Sequence, residues 1–268
     1  MAYLQSTVVT GSACVLQVIA SGSTVFSVDG ANGRLLEVTD DLSCSIFSAN
    51  TIAGLPVIEA FANNCVSMGQ YGGHKFEVTC TSIRGGKCTI ASGTYSFVGG
   101  GLYNTTSNNY SFTGGGIYNC ATNTGTVVVG GRGNCATGGY SSTLSGYYNS
   151  SSGQYSAVAG GNGNHATSDS AFVGGGGGNN ASGGYSFIGG GATNCASCNY
   201  SFVGGGCSNS ASGGISTIGG GYGNSATGEC ATVIGGYYSS ATNTAAVAGG
   251  RQTCAGGAYS GKIGRAHV

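Results

Sequence analysis

The chain has 268 residues, a formal net charge of zero, 6% charged side chains and 56 glycines against a single proline, Pro56. Charge this sparse leaves no basic footprint for nucleic acid or an anionic membrane, and glycine without proline or a three-residue period excludes collagen. With 40% hydrophobic residues the chain is too apolar for disorder, and so few charges imply a surface hidden by assembly.

The opening residues, Met1 to Gln5, carry no basic segment, and the apolar stretch from Val8 to Ala20 is interrupted by Thr10, Gly11, Ser12 and Gln17. It reads neither as a secretory signal nor as a membrane span. Residues 1–79 hold six of the eight acidic residues, at Asp29, Glu37, Asp40, Asp41, Glu59 and Glu77. Short apolar runs recur at Val25–Val28, Leu35–Val38, Ser45–Ser48 and Pro56–Phe61, divided by Asp29-Gly30, Asn32-Gly33, Ala53-Gly54 and Asn63-Asn64. Strand formers between turn signals predict a small β unit with no helix of useful length.

From Cys80 through Tyr259 the chain repeats every 15 residues, twelve times, around Tyr-Ser-Phe-Val-Gly-Gly-Gly-x-x-Asn-x-Ala-Ser-Gly-Gly. Asparagine recurs at Asn104, Asn119, Asn134, Asn149, Asn164, Asn179, Asn194, Asn209 and Asn224. Glycine recurs in phase from Gly85 to Gly250, broken at Ser145, and a β-branched residue recurs from Ile83 to Val233, with Ala248 closing the series. Uninterrupted phase predicts a solenoid. Tyr-Ser-Phe-Val supplies one strand, Gly-Gly-Gly a sharp corner, Asn-x-Ala-Ser a second extended or turn segment, and Gly-Gly the closure. Stacked coils spaced about 4.8 Å apart would build a rod roughly 55–60 Å long. The expected architecture is therefore all-β: a parallel β-solenoid of twelve coils over residues 80–262, preceded by a β collar over 1–79. Residues 263–268 resemble the translation of a short-read sequencing adapter and are set aside from the fold.

Alternation along Tyr95-Ser96-Phe97-Val98 places Ser96 and Val98 on one face and Tyr95 and Phe97 on the other. If the small and β-branched residues fill the coil, the aromatics form an outward stripe that marks an oligomer interface; the alternative puts the aromatics inside and serine in solvent. The asparagine row reads as an amide ladder or as a turn residue tolerating left-handed φ.

Little in the repeat suggests chemistry. Among twelve cysteines, Cys120, Cys135 and Cys195 share one slot, but parallel stacked side chains point the same way, so free thiols are expected over a disulfide. Cys195-Ala196-Ser197-Cys198 lacks two further zinc ligands, and the repeat region holds only Asp169 and Glu229, which makes a paired-carboxylate site implausible there. Asp40-Asp41 reads as a solvated turn, and the run Gly174–Gly178 as one wide corner. No catalytic, cofactor-binding or metal site is predicted. Tyr147, Tyr148, Tyr222, Tyr237 and Tyr238 lie in the corner after Gly-Gly, where they would stack on sugar rings or pack on one another.

The repeats Ser96-Phe97-Val98-Gly99, Ser186-Phe187-Ile188-Gly189 and Ser201-Phe202-Val203-Gly204 resemble the head coils of trimeric autotransporter adhesins, which implies a β-roll that forms a homotrimer. The stretch from Phe26 to Gly69, above all Leu42 to Phe61, resembles a collar module of tailed-phage fibre and appendage proteins. Together these resemblances imply a virion fibre protein that contacts itself and host surface polysaccharide. A cell-surface adhesin head is the alternative. A solenoid ice-binding protein is a further one, although threonine recurs only sporadically, at Thr122, Thr137, Thr167, Thr227 and Thr242.

Overall fold

A computed structural model describes residues 24–31, 33–39, 45–51, 53, 55–69 and 75–264. The opening segment, the Asp40-Asp41 turn, His74 and residues 265–268 lie outside the described residues. The chain forms two compact units that divide between Cys88 and Thr89.

The first unit is an antiparallel meander. Strands β1 (Thr24–Gly30), β2 (Gly33–Thr39), β3 (Ser45–Asn50), β4 (Pro56–Phe61), β5 (Val66–Gly69), β6 (Lys75–Val78) and β7 (Ser82–Gly86) each pair with the next. The four apolar runs become β1 to β4. Sequence reading missed β5 and β6, and it assigned Ile83 to the repeat. Ile83 instead pairs antiparallel with Val78, so the solenoid starts beyond β7.

The second unit is the expected parallel β-solenoid. One sheet stacks twelve two-residue strands, from Ile90–Ala91 through Cys120–Ala121 to Cys254–Ala255. The other runs from Ser96–Val98 through Phe187–Ile188 to Gly261–Ile263. Partners are one repeat apart, as in Phe172↔Phe187 and Ala181↔Ala196. A third line of parallel bridges, Leu102↔Ile117 to Tyr222↔Tyr237, runs along the corner, so each coil carries three pairing lines where two strands were expected. The run Gly174–Gly178 keeps this spacing, with Gly177 bridging Asn162 and Ala192, so it is no wider than any other corner.

The interior follows the inward reading. Val98, Val128, Val158, Ile188, Val203 and Ile218 are fully buried, and Ala121 to Ala241 face them from the opposite sheet. Ser96, Ser186 and Ser216 are buried beside them, yet their hydroxyls have no hydrogen-bond partner among the described residues. An unpaired buried hydroxyl costs about 1–3 kcal/mol, and Ala171, Ala231 and Ala246 already occupy this column. Ser186→Ala is therefore expected to raise stability by about 1 kcal/mol, read from a urea titration followed by circular dichroism.

Tyrosine corrects the strand reading. Tyr95, Tyr110, Tyr140, Tyr155, Tyr185 and Tyr200 sit in left-handed corners with φ between 57° and 59°. That conformation turns the amide back toward the preceding coil: Tyr185 N–H donates to Asp169 O at 2.8 Å. Strand amides donate forward instead, as Phe187 N–H does to Ser201 O at 2.9 Å. Each coil is thereby bonded to both neighbours. Ring stacking offsets part of the left-handed cost, with Tyr185 and Tyr200 centroids 5.1 Å apart.

The glycine row required by the backbone lies one residue after the row broken by Ser145. Gly116 has φ +93°, and a Cβ there would overlap the carbonyl oxygen of Gly131, whereas nothing lies within 4 Å of a Cβ at Gly115. Serine at position 145 is tolerated for that reason. The repeat is also not uniform to its end. Val233 pairs with Ala248, but Gly236 pairs with Gly250, so one corner residue is missing and the last spacing is 14 residues, not 15.

Candidate functional site

The asparagine column is an amide ladder, and the left-handed turn reading falls: none of its nine members has positive φ, and all are buried. Asn164 Nδ2 donates to Gly160 O and Gly176 O, each at 2.9 Å. Its Oδ1 accepts the backbone N–H of Asn179 at 3.0 Å, and Asn164 N–H donates to Asn149 Oδ1 at 2.9 Å. From Asn179 to Asn224 the side chains also bond to one another, as in Asn194 Nδ2 to Asn179 Oδ1 at 3.1 Å. Ser239 and Thr253 continue the column. This row holds the Gly-Gly-Gly corner closed; its chemistry is architectural.

The tyrosines expected to contact a ligand separate into two groups. Tyr147 and Tyr148 pack edge-on at 4.4 Å, with the Arg132 guanidinium 5.7 Å from the Tyr147 ring centre. Tyr222 and Tyr237 stack at 5.3 Å, and Tyr238 meets Tyr237 edge-on at 4.6 Å. Arg251 lies 5.8 Å from the centre of the Tyr237 ring. A hydrogen bond to Tyr222 pushes the Tyr238 phenol above its ordinary range. These rings pack on one another and remain 42–51% exposed, so mutual packing and an open surface coexist.

Outward aromatics line the Phe-bearing sheet. Phe172, Phe187 and Phe202 stack at 5.2 Å, and Phe97 and Phe112 at 5.3 Å. The opposite sheet presents a mixed outward column that includes Thr105, Cys120, His165, Asn180 and Ser210.

Cys120 and Cys135 form a disulfide, contrary to the expected free thiols. Their Cα atoms are 4.6 Å apart in register, close enough for the two sulfurs to meet sideways on the outer face. Cys195, in the same column, lies between Asn180 and Ser210 and stays free. Cys207 falls in the bridge line between Ala192 and Tyr222. No group of three metal-ligating side chains occurs among the described residues. Closing a 15-residue loop is worth about 3 kcal/mol in chain entropy, so reduction is expected to lower solenoid stability by about that much in parallel urea titrations with and without reductant.

The meander carries a second surface. Its cross-strand neighbours form three rows. Phe26, Val38, Phe47, Ala60, Val66, Val78 and Ile83 make one, and Val28, Leu36, Ala49, Ile58, Met68 and Phe76 another. Between them runs Ser27, Glu37, Ser48, Glu59, Ser67, Glu77 and Arg84. Strand alternation puts both apolar rows on one face and the polar row, with its Glu77–Arg84 ion pair at 2.6 Å, on the other. Val28, Ile58, Met68 and Phe76 are about 40% exposed, so the apolar face is incompletely covered. No protein-family model matches this chain, and no curated protein matches it.

Proposed function

We propose that the chain is a protomer of a homotrimeric virion fibre, a phage tail fibre or appendage, whose solenoid spaces or displays a host-binding surface. The observation that carries this reading is the incompletely covered apolar face of the meander. A one-layer sheet with a continuous hydrophobic face reaches stability by packing that face on something else. The stacked phenylalanines of the solenoid make the same demand on an almost uncharged surface. The trimer comes from the resemblance to adhesin heads, and the virion setting from the resemblance of the first unit to phage collar modules.

In this reading the asparagine ladder and corner glycines make the shaft, and the exposed tyrosines meet host surface polysaccharide. No catalytic role is assigned. The mixed outward column of the second sheet argues against an ice-binding lattice, which needs one residue type repeated in register. Light scattering tests the assembly: the expected mass is three times the 26.0 kDa of one chain, and a monomer would remove the fibre reading.

A further inference from the structure

We infer that the corner notch at Gly138 and Gly139, beside Tyr140, is a subsite for a neutral saccharide. This rests on reading the solenoid as a surface-binding fibre. An open groove of about 560 Å³ here is lined by residues of three successive coils, among them Thr124, Thr137, Gly139, Tyr140, Ser152 and Gln154. The notch arises from phase. Thr124, Gly139 and Gln154 occupy one column, and the missing side chain at 139 leaves a gap between neighbours two coil rises apart, about 9.6 Å.

The groove presents unpaired donors and acceptors. In the same column Gln154 N–H donates to Asp169 Oδ1 at 3.1 Å and Gly184 N–H to Asn199 Oδ1 at 3.0 Å. Gly139 N–H has no such acceptor, because Gln154 reaches it only with Cγ, 3.9 Å from where a Cβ would stand. The side chains of Gln154, Thr137 and Ser152 likewise make no hydrogen bond among the described residues. No charged side chain lines the groove. Tyr140 is 57% exposed beside these groups and stacks on Tyr155 at 5.6 Å. The exposed edge of Tyr140 beside the free Gln154 amide, the Thr137 and Ser152 hydroxyls and a free N–H matches the mixed apolar and hydroxyl surface of a neutral sugar.

Two other glycines in this column lack one part each. At Gly184 the Asn199 side chain folds into the gap, its Oδ1 3.2 Å from a Cβ position. At Gly214 the gap is empty, but Ile215 stands where Tyr140 does. Only Gly139 combines an open gap with an adjacent tyrosine.

The experiment uses the full chain with maltohexaose, cellohexaose and mannohexaose as probes, read by saturation-transfer nuclear magnetic resonance. Gly139→Gln fills the notch, and position 154 already carries glutamine in phase, so the fold tolerates it. The expected result is binding of at least one probe at millimolar concentration, weakened at least about tenfold by Gly139→Gln and unchanged by Gly214→Gln. Absence of transfer from all three probes, or binding indifferent to Gly139→Gln, overturns the subsite. Light scattering on the same samples separates the two readings. A trimer with unaltered binding in Gly139→Gln removes the subsite alone, and a monomer with notch-sensitive binding removes the fibre alone.

Discussion

Replacing Asn164 with alanine is expected to destabilise the solenoid by about 2–6 kcal/mol, because two buried backbone groups lose their partners at about 1–3 kcal/mol each. Gly160 O loses the Nδ2 donor at 2.9 Å, and Asn179 N–H loses its Oδ1 acceptor at 3.0 Å. Gly176 O is less affected, because Asn162 N–H still donates to it at 2.9 Å. The measurement is the urea midpoint by circular dichroism, with Asn162→Ala as the control. Asn162 is exposed in the bridge line, and its replacement is expected to stay within about 0.5 kcal/mol. Equal midpoints for the two variants would mean that the ladder holds nothing. Asn164→Asp sharpens the test. One carboxylate oxygen would keep its donors on Asn179, but the other would face the Gly160 and Gly176 carbonyl oxygens with no donor, so burial and this repulsion raise its folded-state pKa above the unfolded value. Its stability is then greatest at low pH and falls as pH rises above the ordinary carboxylate range.

The second large effect concerns assembly. In the trimer we propose, Met68→Glu is expected to reduce the mass in solution from three chains to one. Met68 lies on the apolar face, in register with Ile58 and Phe76. A carboxylate buried there without a partner costs several kcal/mol, which weakens association at least about a hundredfold. Glu59→Gln alters the polar row on the opposite face and is expected to leave the mass unchanged. A Met68→Glu protein that keeps the trimer mass would place the subunit contact elsewhere, with the phenylalanine column of the solenoid as the remaining surface.

The sequence by itself determined the solenoid, its all-β class and the placing of Ser96 with Val98 on one face and Tyr95 with Phe97 on the other, because a fixed period makes every residue a neighbour of its own copies and alternation then sorts the faces; which face is inward was decided by the packing. It also gave four strands of the meander, where apolar runs stand between turn signals. The tertiary structure alone decided the rest. Whether Asn164 acts as a turn or a ladder depends on φ and on carbonyls four and twelve residues away, which composition cannot specify. Left-handed φ at tyrosine runs against local propensity and is set by the corner, whose amide bonds to the coil before; Ser170, Ile215, Cys230 and Ala245 adopt it in the same column without a ring. The Cys120–Cys135 bond depends on lateral approach of two sulfurs at one coil rise. The two apolar rows of the meander exist only in register across seven and six strands, since each strand contributes one residue to a row. The notch at Gly139 is likewise a property of the column: glycine there leaves an open groove only because Thr124 and Gln154 stand one coil away on either side.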